Sequence, residues 1–319
     1  FFQVCPCRII AVTGSDGKTT TTSIICEMLK AQGYTCHIGG NIGKPLLPEV
    51  ETMKETDVAV VELSSFQLHT MTHSPKVAVI TNVAPNHLDW HTGMEEYIEA
   101  KKHLMAYQTA EDRVVLNLEN DITRDFMKDA KGQCLAFSSK QKVQQGFYLR
   151  GEEIVCAMDG KETPVMNIHD ICIVGMHNVE NYMAAMSAVY GYVDVDNMVT
   201  VAKTFAGVEH RIEFVREVNG VKYYNDSIAS PTRTLAGLHA FTQKVILIAG
   251  GYDKKIPFDG LGEEIPSHVK VLILTGATSQ KIKEAVLKAK EYEEGKPVII
   301  ECANMDEAVA AAAKVAQEG

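Results

Sequence analysis

Near its start the chain carries the run Val12–Thr22, VTGSDGKTTTT, in which two glycines precede a lysine and four threonines. The apolar segment Arg8–Thr13 predicts a β-strand, and Lys18–Ala31 predicts a helix. Such a strand–loop–helix junction suits phosphate binding, because glycines let backbone N–H groups approach an anion at the helix N-terminus. The run therefore predicts an α/β fold with a phosphate site at the end of a strand.

The loop keeps the working parts of a P-loop in a shortened form. The general pattern GxxxxGK followed by Ser or Thr fails because Val12 stands five positions before Gly17, whereas the shorter GxxGKT remains. We expect Lys18 to contact the β- and γ-phosphates of a nucleotide and Thr19 to bind Mg²⁺. The alternative, a glycine turn with a solvated lysine, is disfavoured by the strand before it and the helix after it.

Alternating strands and helices predict a mostly parallel sheet covered by helices in residues 1–206. Between Cys134 and Val174 the pattern changes to short strands with turns, which predicts a small antiparallel appendage on the same domain. The elements expected here are strands Arg8–Thr13, Asp57–Leu63, Lys76–Asn82, Arg113–Asn117, Phe147–Arg150 and Ile154–Ala157, and helices Lys18–Ala31, Met94–Gln108, Asn120–Ala130, Val179–Tyr190 and Val195–Phe205.

A second, smaller α/β domain is predicted for residues 207–319. Asn219-Gly220 is a strong hairpin signal between two strands. The alternation that follows is typical of a Rossmann-like sheet. The expected elements are strands Ile212–Val218, Val221–Asn225, Lys244–Ala249, Lys270–Leu274 and Pro297–Glu301, and helices Thr232–Ala240, Ser279–Lys288 and Met305–Gln317.

Charge and composition exclude some classes of partner. Lys+Arg 31 against Asp+Glu 41 give a net charge of -10, which argues against nucleic acid or an anionic membrane surface as the main partner. The 8 cysteines lack a CxxC or zinc spacing, so reduced thiols are expected. No apolar run reaches the length of a membrane span. These features predict a cytoplasmic protein without a membrane segment.

Two further strand ends carry polar residues. Glu62 ends an apolar strand and is expected to face the P-loop and share its metal, although a strand-end carboxylate can also cap the next element. The run Ile80–Asp89 lies at the end of the next strand and offers His87 and Asp89 as metal ligands or substrate contacts, the alternative being a surface or packing histidine. Downstream, Tyr97 and Lys101 are four residues apart and share a helix face.

The remaining candidates lie around the predicted domain boundary. In His177-Asn178-Val179-Glu180-Asn181, an asparagine can cap the helix or reach a nucleotide, and capping is favoured for Asn178 over Asn181. Arg211 is placed to stabilise charge on a transferred phosphoryl group. Asp226 and Lys254 follow strands of the second domain, where Lys254 is either a substrate contact or a turn lysine.

Together these motifs resemble the Mur ligases, the ATP-dependent amide-forming enzymes of peptidoglycan synthesis. The resemblance runs from Arg8 to about Asp259 and includes the GxxGKT loop, HNxxN and His210-Arg211. The run Glu62–Leu68, ELSSFQL, is similar to that of the members that add D-glutamate. The resemblance implies a P-loop-type central ATPase domain, two Mg²⁺ sites, and a monomer acting on UDP-N-acetylmuramoyl-L-alanine and D-glutamate.

By resemblance, the site residues take the following roles. The ATP-binding set is Gly14, Ser15, Asp16, Gly17, Lys18, Thr19, Thr20, Asn181, Arg211 and Asp226. Thr19 and Glu62 hold the first Mg²⁺, and His87 with a carbamylated Lys101 holds the second. Lys18, Glu62, His87, Lys101 and Arg211 carry the chemistry, and Asn41, Ser64, Gln67, His87 and Lys254 contact the substrates.

The resemblance does not include two segments of the family, one near each end of its chains. Its UDP-binding domain has no counterpart before Phe1, and its Ser/Phe segment near D-glutamate does not appear before Gly319. We therefore expect this chain alone to bind Mg²⁺–ATP and to form little ligated product. The alternatives are another Mur ligase, a folylpolyglutamate synthetase-type ligase, or a nucleotide-binding fragment without ligase activity.

Overall fold

The computed structural model describes residues 1–84, 91–208, 212–227, 231–253 and 257–316. The chain divides into two compact units. Phe1–Cys172 with Met176–Ala206 form the first unit, and Gly207–Gly319 with Ile173–Gly175 form the second. Among the described residues, no helix is both long and apolar enough to cross a bilayer.

The first unit is built on one nine-stranded sheet. Its strands are β1 Arg8–Thr13, β2 Cys36–Gly40, β3 Val58–Glu62, β4 Val77–Ile80, β5 Arg113–Asn117, β6 Gln133–Ser138, β7 Gly146–Arg150, β8 Glu153–Met158 and β9 Lys161–Asn167. Its α-helices are α1 Lys18–Ala31, α2 Ser65–Leu68, α3 Met94–Ala106, α4 Asp121–Phe126, α5 Met176–Val189 and α6 Val195–Thr204. Short 3-10 helices cover Leu47–Thr52, Met127–Asp129 and Ile168–Asp170.

The strand order explains where a ligand site belongs. The order is β2-β3-β1-β4-β5-β6-β7-β8-β9, and every pair from β2 to β7 is parallel. In this order β1 lies between β3 and β4. The chain connections therefore diverge on either side of the carboxyl end of β1. Ligands of open α/β sheets bind at such a switch point. In this unit the switch point is occupied by the loop that follows Thr13.

Helices cover both faces of the central strands, which explains their continuous apolar sequences. Alternate residues of β1, such as Ile9 and Ala11, join a core with Tyr97 and Leu104 of α3 and Phe126 of α4. On the other face α1 packs against α5. The predicted antiparallel part is confirmed for β7, β8 and β9, which continue the same sheet at its edge.

The second unit contains a hairpin and a small parallel sheet. Asn219 and Gly220 both have positive φ, as the predicted turn requires, and join β10 Glu213–Val218 to β11 Val221–Asn225. The three-stranded sheet has the order β12 Val245–Gly250, β13 Val269–Thr275, β14 Val298–Glu301. The helices are α7 Pro231–Leu238, α8 Asp259–His268, α9 Ser279–Leu287 and α10 Met305–Val315.

Candidate active site

The glycine-rich loop joins β1 to α1 in a conformation that only glycine allows at two positions. Gly14 has φ 152°, and a Cβ there would lie 1.9 Å from Thr81 Oγ1. Gly17 has φ 79°, and a Cβ there would lie 2.3 Å from Asn181 Oδ1. Both the backbone and the close neighbours therefore require glycine. Of the residues that the structure describes, none caps the start of α1 with its side chain, and the first turn has no acidic residue, which suits an anion there.

The segment after β4 holds this loop in place. Ser15 N donates to Asn82 O and Asp16 N donates to Asn82 Oδ1, each at 2.9 Å. Thr81 Oγ1 donates to Asp16 O at 2.6 Å. The loop is thus pre-organised by hydrogen bonds before any ligand binds, which lowers the entropic cost of binding.

Two lysine amines reach backbone carbonyls of the same loop. Lys18 Nζ donates to Ser15 O at 2.9 Å, and Lys101 Nζ donates to Gly14 O at 2.8 Å. Lys101 is only 2 % exposed. Burial, followed by the nearby charge of Lys18, lowers the pKa of Lys101 from 10.5 to about 7. Lys101 is therefore desolvated, and much of its amine is neutral near neutral pH.

Tyr97 connects Lys101 to the loop. Its ring centroid lies 4.6 Å from Lys101 Nζ, and its hydroxyl lies 2.9 Å from Ser15 Oγ. Ser15 Oγ also donates to Ala84 O and accepts from Ala84 N, each at 2.9 Å. A serine hydroxyl has one proton, so Tyr97 is the donor to Ser15. One side chain thus joins α3, the glycine-rich loop and the segment that leads to His87.

Glu62 lies at the end of β3, beside the start of the loop. It is 1 % exposed and pairs in register with Val12 of β1. Asn41 Nδ2 donates to Glu62 Oε1 at 3.0 Å, and Asn41 N donates to Glu62 O at 2.8 Å. Within the described part of the chain, Glu62 Oε2 is buried without a hydrogen-bond partner. Glu62 does not cap α2, because Ser64 does, so that alternative is excluded.

Ser64 and Gln67 form a capping box at the start of α2. Ser64 N donates to Gln67 Oε1 at 2.9 Å, and Gln67 N donates to Ser64 Oγ at 3.3 Å. Both side chains are accessible from solvent. Their mutual hydrogen bonds fix the turn that follows Glu62, so they shape this end of β3 whether or not a substrate is bound.

Asn181 packs against the glycine-rich loop from α5. Its Oδ1 accepts from Thr21 Oγ1 at 3.2 Å, and its Nδ2 donates to Asn178 Oδ1 at 3.1 Å. The helix begins at Met176 rather than at Val179. The expectation that Asn178 caps the helix is therefore wrong, because Asn178 lies inside the first turn and supports Asn181.

Asp226 belongs to the second unit, where it follows β11 and accepts a hydrogen bond from Ile212 N at 3.2 Å. His87, Asp89, Arg211 and Lys254 lie outside the described residues. The remaining predicted ATP-binding residues, Gly14 to Thr20 with Asn181, lie together in the first unit. Sequence reasoning missed the joining role of Tyr97, although its spacing from Lys101 was a usable signal.

The residues around the loop fit a magnesium ion. The donor set comprises the buried Glu62 Oε2, which has no partner among the described residues, and the buried residue Thr19 at the start of α1. Carboxylate and hydroxyl oxygens are the ligands that Mg²⁺ prefers. A buried carboxylate oxygen without a donor is costly unless a cation or a donor meets it.

The fold and the site define an α/β nucleotide-binding protein of the P-loop type. Sequence comparison is more specific: the profile of the Mur ligase middle domain matches residues 12–189, and that of the Mur ligase glutamate ligase domain matches residues 210–319. The chain belongs to the Mur ligase family of ATP-dependent ligases.

Curated relatives align over the whole chain. The UDP-N-acetylmuramoylalanine–D-glutamate ligase of Acetivibrio thermocellus is 57% identical over 323 residues, and the chain covers 69% of it. The ligase of the same name from Clostridium kluyveri is 54% identical over 320 residues, again with 69% of its length covered. Both relatives are thus longer than the stretch that this chain matches.

Solved structures support the fold. MurF from Acinetobacter baumannii superposes with a TM-score of 0.73 at 17% identity, over 97% of this chain and 70% of that one. MurF ligase from Thermotoga maritima, solved in complex with ADP, gives a TM-score of 0.70 at 18% identity, over 100% of this chain and 76% of that one. At these identities the likeness shows the shared fold.

Proposed function

We propose that this chain is the catalytic part of a ligase that adds D-glutamate to UDP-N-acetylmuramoyl-L-alanine in peptidoglycan precursor synthesis. The observation that carries the proposal is the 57% identity, over the whole chain, to a relative named for this reaction. The pre-organised glycine-rich loop, Glu62 and Lys101 supply a matching site for nucleotide chemistry.

The reaction is proposed to run through an acyl phosphate. A carboxylate oxygen of the muramoyl substrate attacks the γ-phosphorus of ATP, and ADP leaves. The amine of D-glutamate then attacks the acyl carbon, inorganic phosphate leaves, and the amine loses a proton. Gly14 to Thr20 with Asn181 are assigned to nucleotide binding, Lys18 offsets phosphate charge, and Arg211 and Asp226 are also assigned to ATP.

Two magnesium sites are proposed for this chemistry. Thr19 and Glu62 would hold one ion, and His87 with Lys101 the other. Magnesium neutralises phosphate charge and orients the transferred group when it is bound. Lys101 can serve as an anionic ligand only after its neutral amine attacks the carbon of CO₂ and loses a proton to water, which gives a carbamate, and its lowered pKa favours that reaction. Short carboxylic acids should then partly restore a Lys101→Ala variant.

The substrate contacts are proposed around the end of β3 and in the second unit. Asn41, Ser64, Gln67 and His87 are assigned to the muramoyl substrate, and Lys254 to D-glutamate. Asn41 also contacts Glu62, so a substrate bound there would meet the same carboxylate that the metal uses.

The organisation is proposed as a central ATPase domain at residues 1–206 and a C-terminal domain at residues 207–319. Division of the chain into compact units and the two family profiles support this boundary. We propose that the protein acts as a monomer in the cytoplasm.

The test measures phosphate release and ligated product from ATP, UDP-N-acetylmuramoyl-L-alanine and one amino acid at a time. The assay compares this chain with a longer chain that has the full length of its relatives. D-glutamate, and not L-glutamate or a diamino acid, should stimulate the longer chain. Stimulation by another amino acid would assign a different ligase, and nucleotide binding without product in both chains would leave only a binding module.

A further inference from the structure

Two histidines and a glutamate meet on the surface of the second unit. His239 follows the end of α7, whereas Glu264 and His268 are four residues apart on α8. His239 Nε2 lies 3.3 Å and His268 Nε2 lies 3.4 Å from the same oxygen, Glu264 Oε2. The three ligand atoms all lie within 4.8 Å of one another. Two imidazoles and a carboxylate are a common zinc ligand set.

The two distances to Glu264 Oε2 match those between neighbouring ligand atoms of a tetrahedral metal. Charge-assisted N–O hydrogen bonds are usually about 2.7–2.9 Å long, and both contacts to Glu264 are longer than that. Zinc bonds of about 2.0–2.1 Å place neighbouring ligand atoms of a tetrahedron about 3.3–3.4 Å apart. Both histidine nitrogens therefore already lie at a ligand–ligand distance from Glu264 Oε2.

The scaffold behind the three side chains is packed. Leu238 precedes His239 and is 4 % exposed, and Ile265 follows Glu264 and is fully buried in the same core. The ligand side chains of His239, Glu264 and His268 are 51%, 42% and 29% exposed, respectively. Rigid backbone positions favour a precise site, and the open side leaves room for a water as a fourth ligand.

A second such cluster among the described residues, in the first unit, is less suited to a metal. It comprises His69, His91 and Glu96. Glu96 Oε2 accepts from both the N and the Oγ1 of Thr92 at 2.6 Å, and His91 Nε2 hydrogen-bonds Ser65 Oγ at 2.9 Å. A metal would have to compete with these short hydrogen bonds, whereas His239, Glu264 and His268 form no hydrogen bond this short with the described residues.

We propose that His239, Glu264 and His268 form a zinc site that joins the end of α7 to α8. The bound ion replaces two long contacts to one carboxylate oxygen with three coordinate bonds, and thereby stabilises the second unit. The proposal is independent of the ligase reaction.

The experiment titrates Zn²⁺ into the EDTA-stripped, reduced full chain in excess Mg²⁺, by calorimetry at neutral pH. Wild type is compared with His239→Gln, His268→Gln and Glu264→Gln. The matched control is His169→Gln, because His169 forms a single histidine–glutamate pair with Glu152 at 3.2 Å. Differences between variants separate this site from zinc bound by the cysteines, which all variants retain.

Each of the three variants should bind one Zn²⁺ fewer than wild type, or bind it at least tenfold more weakly. Zn²⁺ should raise the melting temperature of wild type and His169→Gln more than that of the three variants. The side-chain NMR signals of His239 and His268 should shift on Zn²⁺ addition. Equal stoichiometry and affinity in wild type and the His268→Gln variant would overturn the proposal, even if the ligase proposal holds.

Discussion

Replacing Glu62 by glutamine should have opposite effects on stability and on nucleotide binding. Without metal, the wild-type carboxylate is buried with one oxygen that has no hydrogen-bond partner in the described part of the chain. Glutamine keeps the oxygen that accepts from Asn41 and removes the charge. The variant should therefore fold, gain stability in EDTA, and lose its response to Mg²⁺.

The magnitude follows from the single unsatisfied oxygen. A buried acceptor without a partner costs about 1–3 kcal/mol, and a charged one costs more. The neutral amide still lacks a full set of partners, so the expected gain in unfolding free energy is about 1–2 kcal/mol. For a domain of this size, such a gain raises the melting temperature by roughly 2–8 °C.

The assay follows thermal unfolding in EDTA and then Mg²⁺–ATP binding by calorimetry. Glu62→Gln should bind Mg²⁺–ATP at least tenfold more weakly than wild type, because a hard cation loses an anionic oxygen ligand. The exposed Glu55, changed to glutamine, controls for the loss of one negative charge. Unchanged Mg²⁺–ATP affinity, with no gain in melting temperature, would refute the reasoning.

Three further predictions concern the loop and its neighbours. Tyr97→Phe should lower the unfolding free energy by about 1 kcal/mol and weaken ATP binding, and a cycle with Ser15→Ala should show that the two effects are coupled. Gly17→Ala should cost about 2 kcal/mol or more, because a left-handed backbone alone costs about 1–2 kcal/mol and the Cβ meets Asn181 Oδ1. Asn181→Ala in that background should restore part of the loss. Burial lowers the pKa of Lys101 from 10.5 to about 7, so between these values the unfolded chain binds the extra proton and stability rises with pH. Lys101→Met should flatten that rise in denaturant titrations between pH 7 and 10.

For each of these three predictions, one outcome would contradict the reasoning. Additive effects of Tyr97→Phe and Ser15→Ala would contradict the hydrogen bond between them, and Tyr107→Phe, at an exposed tyrosine, serves as the control. Equal stability of Gly17→Ala with and without Asn181→Ala would place the strain elsewhere. A pH profile unchanged by Lys101→Met would show that Lys101 keeps an ordinary pKa in the folded chain.

The sequence by itself determined the elements whose signals are local. β1, α1, β5 and β11 have the predicted bounds, because each combines a clear apolar pattern with adjacent glycine or turn residues. The hairpin at Asn219-Gly220 follows from the same local chemistry. The loop from Gly14 to Thr19 was recognisable because its spacing of glycine, lysine and hydroxyl is itself the phosphate-binding device.

Other elements gave weak local signals and were missed. β2 has the sequence CHIGG, in which two glycines lower strand propensity, and it forms because β3 pairs with it. α8 contains two glycines and Pro266, yet it is a helix. A Cβ at Gly262 would lie 2.6 Å from Ala285, so glycine permits the close packing of α8 on α9. The stability of α8 therefore comes from tertiary packing rather than from helix propensity.

Only the tertiary structure decided the electrostatics of the site. In the sequence, Lys101 and Lys102 are adjacent residues of one predicted helix. In the structure, Lys102 pairs with Asp129 at 2.8 Å, whereas Lys101 is buried and donates to Gly14 O. That Glu62 Oε2 has no hydrogen-bond partner among the described residues likewise depends on which segments pack around β3. A pKa or an unsatisfied oxygen is set by the burial and neighbours that distant segments supply, and local sequence carries no record of that packing.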